Sequence, residues 1–247
     1  MALRLQTFPI EQDMRVGLVG ASGFVGSAIF RRFSKLAQFN CLPILRSDNF
    51  ESKSRDVDFI IHSANPAKRY FANTNPEFDR KETFEKTMRF LDTSNGKPFL
   101  LVSSISCRTQ SETPYGKNRK DCENLVLEYG GSVVRLGPMF GISRLYDVIH
   151  DICLNRKVFV SRDSKQSFSS IDWNGSYIAD HFEQFSGILE IGARNSITLG
   201  EIADHINSRS EFIGDVDDQF PLNFDAGPDV QQVLEFVDQI TGRYNIF

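Results

Sequence analysis

The sequence predicts an α/β fold, a doubly wound parallel sheet with a small C-terminal lobe. Two observations carry this. Short apolar runs alternate with stretches of helical periodicity from Arg15 to Ile206, the pattern of a parallel sheet whose crossovers are helices. The first run, Arg15–Val19, also passes through glycines spaced by three, Gly20, Gly23 and Gly26, into an amphipathic helix. A strand, a glycine turn and a helix in that order make a phosphate cradle. Glycine permits the tight turn and a close backbone approach, and the helix N-terminus presents unpaired N–H groups to an anion. The same spacing also serves ordinary strand-to-helix turns, and Ser22 stands where the commoner fingerprint has its second glycine.

The elements follow in order. Ala28, Ile29, Phe30, Phe33 and Leu36 keep helical spacing, and Asn40–Arg46 reads as a second strand that Pro43 confines to an edge or an irregular piece. The polar stretch before the next strand, Val57–His62, is too short for a further strand-and-helix unit, so a trimmed sheet is expected there. Phe78, Phe84, Met88 and Leu91 predict a helix within 76–94, followed by the strand Phe99–Ser103. Pro114 ahead and Gly130-Gly131 behind bound a helix over Tyr115–Tyr129. Ser132–Leu136 is a strand ending at Gly137-Pro138, a helix is expected at 145–154, and 161–170 is polar. Ile188–Ile191 closes the sheet, Thr198 and Glu201 form a capping box, Ser210–Pro228 reads as an acidic loop, and Val230–Ile240 as a last amphipathic helix. Residues 14–141 are expected to form the nucleotide-binding core, and 142–247 its remaining strand with the lobe.

Composition removes several function classes. With 247 residues, 40% hydrophobic and 24% charged, the chain can bury a large core, and no apolar stretch is long enough for a membrane span. A net charge of −4 argues against a general nucleic-acid binder, whose phosphate contacts need a basic face. Cys41, Cys107, Cys122 and Cys153 are dispersed, and His62, His150, His181 and His205 lack ligand spacing, so neither a disulfide framework nor a metal site is expected. The first thirteen residues lack the apolar region of a secretory leader, and a cytoplasmic location is expected.

Three polar clusters follow apolar runs, at the strand ends where open α/β sheets bind ligands. They are Asp58–Asn65 with His62, Ser63 and Ala64, then Ser103-Ser104-Ile105-Ser106, then Tyr115 to Arg119. Singly each is ordinary: a strand histidine is often a packed core residue, serines often build turns, and a helical tyrosine usually packs.

In this order the clusters resemble the extended short-chain dehydrogenase/reductases, the branch that includes nucleotide-sugar epimerases, dehydratases and 4-keto reductases. The resemblance runs from Met14 to about Ile206 and rests on Gly20, Gly23 and Gly26, on Asp58 to Ala64, and on Ser103-Ser104. It continues through Pro114 to Gly116 with Glu123 eight residues after Tyr115, Val133 to Gly141, and Ile197 to Ile202. It implies a Rossmann-like fold and NADP(H)-dependent reduction of a carbonyl on a nucleotide sugar or similar small molecule. In that scheme Tyr115 is the general acid, Arg119 the neighbouring cation that also holds the nicotinamide ribose, and Ser104 the hydrogen-bond donor to the substrate oxygen, with Ser106 as fallback. Cofactor contacts are implied at Gly20, Ser22, Gly23, Phe24, Val25 and Gly26, at Arg46 and Ser47, at His62, Ser63 and Ala64, and at Pro138. The C-terminal lobe would bind substrate, and a homodimer through two helices per subunit is the implied assembly.

The chain departs from the pattern at several positions. Arg119 replaces the usual lysine four residues after the tyrosine; it keeps the charge but carries a larger planar fork, which suits either an Arg-tuned enzyme or a regulatory protein that binds dinucleotide without turnover. Pro138 replaces an asparagine, Trp173 follows Ile171-Asp172 where an acid is common, and Gln166 replaces an arginine. Arg144, Arg162 and Lys165 suit either a diphosphate or a solvated surface. Arg46 and Ser47, about 20 residues past the glycines, suit the 2′-phosphate of NADP, whereas Asp48 would suit the 2′-hydroxyl of NAD. An NAD-retaining epimerase or dehydratase is therefore the alternative enzyme.

Overall fold

The computed structural model describes residues 13–144 and 146–244. Residues 1–12, read above for a leader, and Leu145 lie outside them. From the N-terminus run β1 (Met14–Val19), α1 (Phe24–Phe33), β2 (Phe39–Ile44), α2 (Phe50–Arg55), β3 (Phe59–His62) and α3 (Arg69–Thr74). Next come α4 (Pro76–Arg80), a π-helical segment (Lys81–Glu85), α5 (Lys86–Thr93), β4 (Phe99–Ser104), α6 (Ser106–Thr109), α7 (Pro114–Glu128), β5 (Ser132–Leu136) and β6 (Met139–Phe140). The chain continues through α8 (Val148–Cys153), β7 (Lys165–Gln166), β8 (Ser169–Ser170), α9 (Ile171–His181), β9 (Ile188–Ile191), β10 (Ile197–Thr198), α10 (Leu199–His205) and α11 (Gln232–Tyr244).

The main sheet has the order β2-β1-β3-β4-β5-β9, and every pairing in it is parallel. Its inner strands are near-continuous apolar runs because helices cover both faces. On one face Leu18, Ile61, Leu100 and Val134 pack under Ile29 and Phe33 of α1 and Ile178 of α9; on the other, Ile60, Leu101 and Val133 meet Leu91 of α5 and Cys122 and Val126 of α7. A further buried cluster joins Phe140, Ile149, Ile152, Ile202, Val233, Phe236 and Val237 in the C-terminal part. Only α2 fills the stretch between β2 and β3, as the short polar segment predicts, and strand order reverses between β1 and β3. That reversal opens the crevice where such sheets bind ligands.

The largest element without a sequence expectation is α9. Ser170 caps it by accepting from the Trp173 N–H at 3.1 Å, and Gly175 lets it cross α1 closely, since a Cβ there would lie 2.6 Å from the Ala28 Cβ. Arg31–Asp172 at 2.5 Å and Arg32–Asp180 at 2.8 Å tie the same two helices along their rims. The helix predicted within 76–94 spans α4 to α5, with the π-helical segment inserted in its middle.

Candidate active site

The glycine turn is built around one carbonyl. The Gly23 N–H donates to the Gly20 oxygen at 2.9 Å, and a Cβ on Gly26 would fall 2.0 Å from that oxygen, so only glycine lets α1 start so close to the loop. Gly20 has φ +89°, a region that favours glycine, and its missing Cβ leaves room for Ala64, 3.0 Å from where that atom would be. Ser63 secures the crevice from the β3 side: its N–H and its hydroxyl both donate to the Val19 carbonyl, at 2.9 and 3.1 Å. The α1 N-cap, Gly23, supplies no side-chain cap, so the first-turn N–H groups of a ten-residue helix are left for a ligand. The residues present therefore fit a dinucleotide diphosphate. Ser22 and Gly23 are exposed at the rim, Phe24 lies under the Arg144 guanidinium at 5.4 Å, and Val25 packs partly into the core.

His62 organises the turn after β3. It is fully buried, its Nδ1 accepts from the Ala64 N–H at 3.3 Å, and its Nε2 lies 3.0 Å from Thr87 Oγ1. Because Nδ1 accepts, the ring proton is assigned to Nε2, which donates to Thr87; the Thr87 hydroxyl donates on to the Thr83 carbonyl at 2.7 Å. Burial, reinforced by Lys86 and Arg119, lowers the His62 pKa to about 3, so the ring is neutral.

Strand alternation separates the two serines ending β4. The Ser103 hydroxyl donates to Glu123 at 2.6 Å on the buried side, whereas the half-buried Ser104 Oγ accepts from the Ser106 N–H at 3.2 Å. The Ser106 hydroxyl is committed to Gln219 at 3.2 Å. α7 starts with Pro114 and a Thr113 cap that accepts from the Gly116 N–H at 3.1 Å. A Cβ on Gly116 would lie 2.0 Å from the Gln110 carbonyl, so α7 abuts the end of α6 and brings Tyr115 to the same end of the sheet as Ser104. Tyr115 is 5% exposed, and its N–H donates to Asn73 Oδ1 at 3.0 Å.

Arg119 sits behind Tyr115, with its guanidinium carbon 4.4 Å from the ring centroid. It donates to Thr83 Oγ1 at 2.6 Å and to the Pro66 carbonyl, and lies 3.9 Å from the buried Asp79 carboxylate. Asp79 also accepts from Asn118 at 2.9 Å. The larger fork is thus received by the π-helical segment carrying Thr83.

Below the site, Arg135 bridges Glu123 at 2.6 Å and Glu190 at 3.0 Å, and Arg108 pairs with Glu190 at 2.8 Å. Burial alone would raise the Glu190 pKa, but the two arginines and the Leu222 N–H hold it below the usual carboxylate range. The sequence motif picked out Glu123 and Arg135 without showing that they form one network with Arg108 and Glu190.

Arg46 and Ser47 are exposed beyond β2, where Asp48 turns back to accept from the Leu45 N–H at 2.8 Å. Glu82 and Lys86, which no sequence motif singled out, lie on this side of the crevice: Glu82 Oε1 is 3.7 Å from Arg46 Nη2, and its other oxygen is 3.6 Å from Lys86 Nζ. Lys86 Nζ donates to the Ala64 carbonyl at 2.9 Å, and burial lowers its pKa. The Pro138 carbonyl accepts from the Ser169 N–H at 3.1 Å, Arg162 pairs with Asp204 at 2.5 Å, and Trp173 stacks on Tyr177 along α9 with centroids 5.1 Å apart. Among the described residues no cluster of histidine, cysteine and acidic side chains could hold a metal ion, and no helix is long and apolar enough to cross a membrane.

No family model and no curated protein sequence matches the chain. Solved structures do. A UDP-glucuronic acid 4-epimerase from Bacillus cereus, in complex with UDP-glucuronic acid and NAD, superposes with TM-score 0.72 at 14% identity over 90% of this chain and 93% of its own. A dTDP-4-dehydrorhamnose reductase from Clostridium acetobutylicum gives 0.74 at 13% over 92% and 99%, and RMD from Pseudomonas aeruginosa, complexed with NADPH, gives 0.74 at 15% over 91% and 97%. With its parallel sheet, glycine crevice and flanking helices, the chain shares the Rossmann-type fold of these epimerase and reductase structures.

Proposed function

We propose that the chain is an NADP(H)-dependent oxidoreductase of the extended short-chain dehydrogenase/reductase type that reduces a carbonyl on a nucleotide sugar or similar small molecule. The observation that carries this reading is the glycine crevice between β1 and β3, opening at the sheet end that also bears Ser104 and Tyr115. When bound, a nicotinamide dinucleotide supplies or accepts the hydride. The chain supplies the rest: the Tyr115 hydroxyl delivers a proton to the carbonyl oxygen, and the Arg119 guanidinium, packed over the face of the ring, holds the tyrosine in place. Ser104 suits the carbonyl better than Ser106. Its oxygen already accepts from the Ser106 N–H, which leaves its own hydroxyl proton to donate, while the Ser106 proton goes to Gln219. Residues 142–247 are proposed to close the substrate side, and the nucleotide-sugar class is supported by the ligand and names of the similar structures.

Tyr115→Phe tests the assignment. It is expected to retain dinucleotide binding by calorimetry and to lose at least about 100-fold in turnover, the usual range for removing a general acid. Undiminished turnover in the variant would refute the role. A regulatory protein that binds dinucleotide without turnover is the second reading, favoured by the engagement of Arg119 with Thr83 and Pro66 rather than with open space. Wild-type protein that binds NADPH yet reduces no 4-keto nucleotide sugar would support it.

A further inference from the structure

Arg46 lies about 20 residues past the last glycine of the turn, the distance at which this class of site meets the adenosine ribose. Its side chain is 90% exposed, and its Nη2 lies 3.7 Å from Glu82 Oε1. The other Glu82 oxygen is 3.6 Å from Lys86 Nζ. Lys86 is anchored: only 16% of its side chain is exposed, and Nζ also donates to the carbonyl of Ala64, the residue against which Gly20 packs. One carboxylate thus stands between an exposed surface cation and an anchored inner cation, beside the crevice, with Glu82 itself 20% exposed.

We propose that Glu82, held between Arg46 and Lys86, sets the choice between a 2′-phosphate and a 2′-hydroxyl on the adenosine ribose. The inference rests on the dinucleotide reading above. A phosphomonoester carries close to two negative charges at neutral pH, so it gains from both cations but is repelled by Glu82 unless that side chain swings outward. A ribose hydroxyl is a neutral donor that the carboxylate accepts in place. Asp48, the acid that sequence spacing puts forward for the hydroxyl, is instead turned onto the Leu45 N–H, which leaves Glu82 as the carboxylate between the cations. Glu82 therefore acts against the phosphate, and Lys86 acts for it.

Calorimetric titration of the purified chain with 2′,5′-ADP and with 5′-ADP reads this without turnover. Glu82→Gln is expected to raise the preference for 2′,5′-ADP over 5′-ADP about tenfold relative to wild type, the effect of one charge on a dianion a few ångströms away at a surface site. Lys86→Met is expected to lower that preference by a similar factor. Glu82→Gln replaces a partly exposed carboxylate with its isostere, so an unchanged melting temperature is expected to accompany the shift. A Glu82→Gln protein that melts as wild type and keeps the wild-type preference within twofold overturns the proposal while leaving the dinucleotide reading intact. Wild-type protein that binds neither nucleotide, nor NADPH nor NADH, overturns the dinucleotide reading and the proposal together.

Discussion

His62 illustrates how a residue in the right place acquires a role that its position alone does not reveal. The strand pattern located it beside the nucleotide crevice, but its partners Thr87 and Ala64 make it a buried, neutral brace for the Ser63–Asn65 turn. A base whose folded pKa lies near 3 binds fewer protons than the unfolded chain, whose histidine titrates near 6.5. The contribution of His62 is then complete above about pH 6.5 and is lost as pH falls toward 3, at up to about 1.4 kcal/mol per pH unit. Urea unfolding at pH 7, 6 and 5 should show this slope in wild type. In His62→Gln, which keeps a donor for Thr87, the slope should be shallower by that amount; equal slopes would show that His62 does not titrate on unfolding. Arg119 is the converse case. The sequence marked it as a departure, but Asp79 and Thr83 lie some 40 residues earlier, on a segment whose π-helical insertion no spacing rule signals.

Among the elements, the turn from β1 into α1 was legible almost residue by residue, because its glycines answer to steric demands that few other residues meet. Gly26→Ala should be among the most damaging small changes in the chain. The added methyl would sit 2.0 Å from the Gly20 carbonyl, forcing α1 away from the crevice. A loss of about 1–3 kcal/mol and of measurable NADPH affinity is expected, read by thermal melting and fluorescence titration. Gly242→Ala, within α11 and with nothing inside 4 Å of the added atom, is the control: it should leave NADPH affinity unchanged and keep or slightly raise the melting temperature, because alanine favours a helix over glycine. α9 was not legible, for a physical reason. Its signals are a Ser170 cap and core positions Ile171, Ile178 and Ala179, but Gly175 reads as a breaker and Trp173, Tyr177 and His181 as an interruption of the apolar stripe. Gly175 instead marks the crossing with α1, a tertiary demand invisible to local periodicity.

For the whole molecule, strand–helix alternation was enough to foresee a parallel sheet with a shortened first half, whereas the ties between distant segments were not. Arg135 on β5, Glu123 on α7, Glu190 on β9 and Arg108 next to α7 meet beneath the site, and Arg108 also donates to the Phe220 carbonyl at 2.8 Å. Gln219 and Asp217 extend the connection from that segment to Thr109, Gln110 and Arg69. Removing the central cation leaves the buried Glu123 carboxylate without its cation, while Glu190 keeps Arg108, so Arg135→Met should destabilise the protein by about 3–5 kcal/mol. Double-mutant cycles against Glu190→Gln should recover a coupling well above that of an exposed pair; additive effects would show that the network is not a unit.

The shortened sheet has one more consequence. Among the described residues no strand lies outside β2, and a flank of that kind is a surface on which a second polypeptide can add a strand and seed aggregation. Pro43 lies within β2, in register with Leu18 of β1, and lacks the N–H that a continuous ladder requires. The residue that made β2 look like a poor strand in the sequence thus also guards the molecule against sheet-to-sheet self-association.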